Sequence, residues 1–273
     1  MKRAFLPCEK NELLYYTISA FDTTDLVINA FSSRKGGKSK KSFESLNLSV
    51  LTADNLEYVL ENRRRLCQAL GIDSHTLVGA CQVHGDNIYL VKGSDRGAGA
   101  LTSKTAIADT DALITNEREI PLILFYADCV PVFFLDPVKK AVGLAHAGWK
   151  GTVAKIAAKT VQALGENYGS NPKDILVAIG PSIGPCHYQV DRPVIDEVKR
   201  AYPKEWEELL TTSDIDGYAQ LNLWEANLRQ ICQTGVPQEN ITVAGMCTYC
   251  CQENFFSHRR GMAGRQAAII MLK

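Results

Sequence analysis

The stretch PLILFYADCVPVFFLDPVKKAVGLAHAGWKGT, residues 121–152, sets the architecture of this chain. Apolar runs over 122–126, 130–135 and 141–146 have strand length, and the residues that separate them punctuate rather than extend a helix. A helical pattern over 151–168 follows, with Thr152 as N-cap, Val153, Ile156, Ala157 and Leu164 on one face, and Gly165 and Gly169 to end it. Working outward, strands are predicted near 26–31, 77–81, 87–92, 111–115, 175–180, 241–245 and 266–272, and helices over 54–70, 192–202 and 222–234. Asp54, with Glu57 three residues later, reads as a capping box at the start of the first helix. Strands dominate the first half and follow one another partly without helices, which excludes a regularly alternating parallel chain. The prediction is an α+β fold, with mixed β-sheets and flanking helices, as a single compact domain over residues 1–273. Segments 93–107 and 203–220 carry the weakest patterns and read as irregular, the first with three glycines and little to bury.

Composition narrows the function classes. Thirty basic and thirty acidic side chains cancel, so broad electrostatic capture of nucleic acid is not expected. The basic stretch Arg34–Lys41 is rich in Gly and Ser and reads as a solvated loop. Lys2 and Arg3 mimic the start of a signal peptide, but Pro7, Glu9, Lys10 and Glu12 interrupt any apolar core after them. The longest apolar run, 120–135, carries Asp128 at its centre and is too short to span a bilayer. Nine cysteines without a secretory signal argue against a disulfide framework and for a cytoplasmic protein with reduced thiols. The sequence carries no signal for oligomeric state.

Three polar residues stand at the ends of strand-like runs: His84 in CQVHG, Cys129 in YADCVPV and His146 in HAGWKGT. Two imidazoles and a thiolate form a ligand set that zinc accepts, with one position left for water or substrate. Their wide separation in sequence suits a catalytic centre assembled from several strand ends rather than a zinc finger. Asp128 is placed to orient a ligand or carry a proton. The same residues also fit a Cys129–His146 nucleophile pair, as in a thiol hydrolase or amidase, which leaves His84 without a task. Cys247 and Cys250 in CTYCC have Cys-x-x-Cys spacing, but no matching second pair is evident, so they read as ordinary buried thiols. Arg259, Arg260 and Arg265 lie among glycines near the last strand, a setting for an oxyanion, and Arg63 late in the first helix is placed to reach a pocket.

In chain order, NAFSSRKGGKS, SLNLS, ENRRRL, CQVHG, DTDALIT, ADCVPVFFLDP, HAGWKGT, GPSIGPCHYQV, TYC and FFSHRRG…GRQAAII resemble the YfiH/YlmD family. Its members, once called laccase-domain or polyphenol oxidase proteins, are described as purine nucleoside phosphorylases. The resemblance covers residue 29 to the end. It implies a zinc ion on His84, Cys129 and His146, phosphorolysis of adenosine, inosine and S-methyl-5'-thioadenosine, and a side activity that deaminates adenosine. Purine nucleosides and phosphate are then the partners, and Arg63 and Arg259 the candidate phosphate-holding residues. Two positions depart from the pattern: His258 stands where Tyr is usual, and Asn222 where Asp is common. The laccase label meets a chemical limit, because a four-copper relay needs many imidazoles and this chain has five histidines. A single copper (Cu2+) on two histidines and one cysteine remains compatible with the donor set, with polyphenol oxidation as an incidental activity.

Overall fold

The computed structural model describes residues 4–273, so Lys2 and Arg3 lie outside the described residues. Strand Leu122–Tyr126 is buried at every position, and alternation of its side chains explains why. Leu122, Leu124 and Tyr126 pack into one core with Phe133, Leu135, Val142 and Leu144, while Ile123 and Phe125 pack into another with Leu66, Cys67 and Ala69 of helix Leu56–Leu70. Both faces of the strand are therefore covered, which is why its sequence is a continuous apolar run rather than an alternating one.

Strand Leu122–Tyr126 belongs to a six-stranded sheet ordered Phe5–Lys10, Leu13–Ile18, Val27–Ser32, Gln266–Leu272, Leu122–Tyr126, Val78–Gly79. The second six-stranded sheet runs Ile241–Val243, Leu176–Ile179, Val130–Asp136, Ala141–Ala147, Ala112–Thr115, Ile88–Leu90. These sheets meet face to face across the Phe133 core. The far face of the second is covered by helices Ile156–Tyr168 and Leu223–Cys232 through Val132, Phe134, Ala145, Val161, Leu164 and Ile231. The result is four layers, helix, sheet, sheet, helix, in the α+β class predicted. A small third sheet pairs Gln189–Val190, Ala219–Leu221 and Leu210–Thr212. Among the described residues no helix is long and apolar enough to cross a membrane.

Several local expectations are corrected. The cap of helix Leu56–Leu70 is Asn55, whose side chain accepts from the Glu57 N–H at 2.8 Å; Asp54 instead accepts from Asn55 and from Asn47. The helix predicted over 151–168 is two helices, Trp149–Val153 and Ile156–Tyr168, parted by Lys155 in the left-handed region at φ 65°. Thr152 is thus no N-cap: it lies inside the first helix, and its hydroxyl donates back to the Ala147 carbonyl. Asn222 caps helix Leu223–Cys232 by accepting from the Glu225 N–H at 3.1 Å, a task open equally to the Asp common there. The segment 203–220 is less irregular than predicted, since it holds helix Trp206–Leu209 and strand Leu210–Thr212.

The first hairpin, Phe5–Lys10 with Leu13–Ile18, is absent from the predicted strands. Its turn residues Asn11 and Glu12 both have positive φ, 53° and 67°, the backbone of a tight two-residue hairpin turn. Segment 93–107 has more to hold it than three glycines suggest. Ala100 is buried, and the carbonyls of Gly99 and Ala100 each accept from Arg63 Nη1 at 2.7 Å.

Arg63 also donates from Nε to the Leu48 carbonyl at 2.7 Å and stacks its guanidinium 4.9 Å from the Phe125 ring. Burial draws its pKa down to about 10, which leaves it charged at neutral pH. Arg63 therefore joins helix Leu56–Leu70 to the loops at 48 and 99–100 rather than reaching open solvent. Replacing it leaves buried carbonyls without a donor. Arg63→Ala is expected to lower unfolding free energy by about 3 kcal/mol or more, read as a shift of the urea midpoint, with no selective rise in KM for phosphate.

Candidate metal centre

The site forms where the chain crosses from one sheet to the other. Strand Leu122–Tyr126 ends in the first sheet, strand Val130–Asp136 begins in the second, and Cys129 sits in the turn between them. Antiparallel pairing of Val130 with Ala147 and of Pro131 with His146 then brings His146 beside that turn. The third residue, His84, arrives on the loop after Val78–Gly79. Gln82 docks this loop by bonding both the N–H and the carbonyl of Phe125, each at 2.9 Å. One donor atom each from His84, Cys129 and His146 lies within 4.8 Å of the others. The two imidazole rings meet edge to face with centroids 4.8 Å apart.

A carboxylate passed over in the sequence holds this arrangement. Asp111, from DTDALIT, is fully buried and accepts from His146 Nδ1 at 2.8 Å. Its oxygens also accept the backbone N–H groups of Val83, His84 and Gly85 at 3.1, 3.0 and 2.8 Å. Those three bonds stabilise His84 in the left-handed region, φ 61°, which a non-glycine residue rarely adopts. Burial alone raises the Asp111 pKa, but the His146 imidazole and the N–H groups of Gly85 and Val83 outweigh it and hold the carboxyl below its usual range. With Nδ1 committed to Asp111, His146 has only Nε2 to offer a metal, the arrangement of a carboxylate–histidine–metal relay.

Cys129 and His146 influence each other directly. Burial raises the thiol, yet the two histidines outweigh it and draw its pKa well below the ordinary value. Burial likewise lowers His146, but Cys129 and Asp111 outweigh it and raise the imidazole. Each group thus favours the charged form of the other, and a cation bound there would take the place of the shared proton. Space for one is kept by Gly148, where an added Cβ would lie 2.9 Å from the Cys129 sulfur and 3.3 Å from the His84 ring.

Asp128 stands next to Cys129 and borders the same cavity, but its carboxylate oxygens are taken up by other partners. Its φ is 83°, and its carboxylate accepts from Thr248 Oγ1 at 2.6 Å, Ser257 Oγ at 3.0 Å and the Arg259 N–H at 2.7 Å. These donors tie the sheet-crossing turn to the segments around 248 and 257–259. Arg63 does not line the site. Arg259 does, with its guanidinium 5.3 Å from the Tyr188 ring and Nη1 on the Gln189 carbonyl at 2.9 Å.

Two cavities open from the triad and share His84, Ala127, Cys129 and His258. One, of about 340 Å³, is walled by Ser49, Thr52, Gln82, Phe125 and Arg265. The other, of about 220 Å³, is walled by Trp149, Tyr188, Ile183, Leu223 and Arg259. Arg265 is half-buried, with Nη1 fixed by the Ala263 and Gly264 carbonyls at 2.8 and 2.9 Å. Neither His258 nor Arg265 is separable in sequence from the other basic residues of FFSHRRGMAGRQ.

Two measurements check this geometry. Asp111→Asn keeps the shape but removes the charge that orients His146, and is expected to weaken metal affinity about 10- to 100-fold in a chelator competition. In chelator-treated protein, Cys129 is expected to alkylate with iodoacetamide at pH 7, where an ordinary thiol of pKa about 8.5 is mostly protonated. Restored metal should suppress that labelling, read on the Cys129 peptide by mass spectrometry; labelling indifferent to metal contradicts the assignment.

Comparison with known proteins places the chain. Residues 28–273 match the family described as multi-copper polyphenol oxidoreductase laccase. The purine nucleoside phosphorylase YlmD of Bacillus subtilis is 42% identical over 249 residues, 90% of this chain and 89% of the relative. A protein named adenosine deaminase RL5, from an unknown prokaryotic organism, is 30% identical over 85% of this chain and 88% of its own length. The crystal structure of YlmD from Geobacillus stearothermophilus superimposes with a TM-score of 0.93 at 38% identity, covering 99% of each chain. The protein belongs to this laccase-domain family, that of the YlmD and YfiH proteins.

Proposed function

We propose that this protein is a zinc-dependent purine nucleoside phosphorylase acting on adenosine, inosine and S-methyl-5'-thioadenosine, with a side activity that deaminates adenosine. The observation that carries the reading is a pair of cavities that meet at one donor set, one reaching Arg265 and the other Trp149, Tyr188 and Arg259. Aromatic and apolar walls at Trp149, Tyr188, Ile183 and Leu223 suit a flat purine. The Ser49 hydroxyl and the Arg265 guanidinium suit phosphate and ribose. Relatives named as purine nucleoside phosphorylases and as an adenosine deaminase support the same class.

His84, Cys129 and His146 would hold the metal, and zinc, when bound, supplies Lewis acidity at the junction of the two cavities. Phosphate, held by Arg265, attacks C1' of the ribose as the C1'–N9 bond breaks and its electron pair leaves with the purine. His258, which borders both cavities, donates the proton that the departing base takes up. Tyr188 and Trp149 hold the ring plane, and Arg259, positioned by Gln189 and Asp128, closes that side. Phosphate binding, first assigned to Arg63 and Arg259, passes in this reading to Arg265. Asp128, with its oxygens occupied by three donors, positions the Cys129 turn rather than carrying a proton.

The test is incubation of zinc-loaded protein with inosine and phosphate, with hypoxanthine and ribose-1-phosphate as products. Chelation should abolish turnover and zinc restore it. Arg265→Ala should raise KM for phosphate about 10- to 100-fold, and His258→Ala should lower kcat by about 100-fold or more. No product from any purine nucleoside with the metal in place contradicts the reading. Activity that survives chelation but not alkylation favours the Cys129 nucleophile instead.

A further inference from the structure

Away from the triad, four more metal-binding side chains converge on one point. Cys186 and His187 lie in the turn after strand Leu176–Ile179, and Cys247 and Cys250 in the turn after strand Ile241–Val243. These strands pair in parallel, Val177 with Ile241 and Ile179 with Val243, so both turns leave the same end of the second sheet. A bridge between Ser182 and Cys247 keeps them adjacent. The sequence hides this neighbourhood, because each pair on its own is too small to make a site.

Spacing separates a ligand set from a chance group of thiols. Cys186 Sγ lies 3.7 Å from Cys250 Sγ, and His187 Nδ1 lies 3.2 Å and 3.3 Å from those two sulfurs. One donor atom from each of the four residues lies within 4.8 Å of all the others. Tetrahedral zinc, with Zn–S about 2.3 Å and Zn–N about 2.0–2.1 Å, sets its ligand edges at roughly 3.8 Å between sulfurs and roughly 3.5 Å between sulfur and nitrogen. The edges among Cys186, His187 and Cys250 sit close to those lengths.

Two further features favour a bound cation. The Cys247 sulfur accepts the Gly184 N–H at 3.2 Å and faces the N–H groups of Tyr249 and Cys250. His187 is held in plane by stacking on Tyr249, with centroids 4.2 Å apart and an angle of 20°, and Arg260 lies 3.8 Å over the same Tyr249 ring.

We propose that Cys186, His187, Cys247 and Cys250 bind a second, structural zinc, distinct from the ion at His84, Cys129 and His146. Four protein donors close its coordination sphere, so it has no position for substrate. Its role is to clamp two turns that both reach the catalytic side. Ile183, beside the first, donates its N–H to the Asp128 carbonyl at 2.9 Å, and Thr248, within the second, donates its hydroxyl to the Asp128 carboxylate at 2.6 Å. Through Asp128 the clamp supports the turn that carries Cys129.

The experiment counts zinc in the full chain, purified under reducing conditions, by plasma mass spectrometry. Two ions per chain are expected in the unaltered protein, one in His84→Ala/His146→Ala and one in Cys186→Ser/Cys250→Ser. Cobalt added to metal-free His84→Ala/His146→Ala should give the intense visible bands of a tetrahedral, thiolate-rich site. A parallel reading needs no variant: alkylation of the unaltered protein, followed peptide by peptide, should show Cys186, Cys247 and Cys250 shielded by zinc and exposed by chelator. Labelling of these three that is the same with and without zinc, or a Cys186–Cys250 disulfide in the reduced preparation, overturns the proposal.

Discussion

One buried carboxylate, Asp111, carries the arrangement of the site. It orients the His146 ring and accepts three successive N–H groups of the loop that presents His84, so two of the three donors are positioned by a single side chain. Burying a carboxylate without partners is costly, and four donors offset that cost here. The strained backbone at His84 persists because this same group satisfies it. Cys129 depends on a second carboxylate, Asp128, whose left-handed backbone is held by Thr248, Ser257 and Arg259.

The fold supplies what these carboxylates connect. The two large sheets share a core through Tyr126, Phe133 and Leu144, and the chain passes between them over the short Ala127–Cys129 turn. Polar groups placed there stand above a rigid apolar floor. Two cavities open beside the turn, one toward Arg265 and one toward Trp149, Tyr188 and Arg259. A centre at the border of two such compartments can serve reactions that bring a polar nucleophile to one side of a flat leaving group.

Much of this was legible in the sequence, for identifiable reasons. The strands over 122–147 are buried on both faces and announce themselves as apolar runs, and His84, Cys129 and His146 stand out because each interrupts such a run. What escaped was non-local or locally disguised. The hairpin of Phe5–Lys10 and Leu13–Ile18 has Pro7, Glu9 and Lys10 on an exposed edge strand, where burial does not enforce alternation. Asp111 opens the strand predicted over 111–115, and nothing in DTDALIT tells a buried acceptor from a solvated one. Arg63 shows the reverse error: a charged residue late in a helix suggests reach, yet it is spent on backbone carbonyls in the interior. Cys247 and Cys250 lacked partners in the sequence because their neighbours, Cys186 and His187, are brought to them only by parallel strand pairing.

The donor set also bears on the name laccase. Of the five histidines, two stand in the triad, His258 borders both cavities beside it, His187 lies with the second cysteine group, and His75 pairs with Asp73 on the surface. That leaves too few imidazoles near the triad for a multi-copper relay, whereas one ion on two nitrogens and a sulfur needs nothing more. The most direct test is anomalous diffraction at the zinc edge from crystals of the zinc-loaded protein. The account predicts a peak bonded to the Cys129 sulfur at about 2.3 Å and to nitrogens of His84 and His146 at about 2.0–2.1 Å, with one position open toward the cavities. A triad without a peak, or an ion there enclosed by a fourth protein ligand, would contradict it.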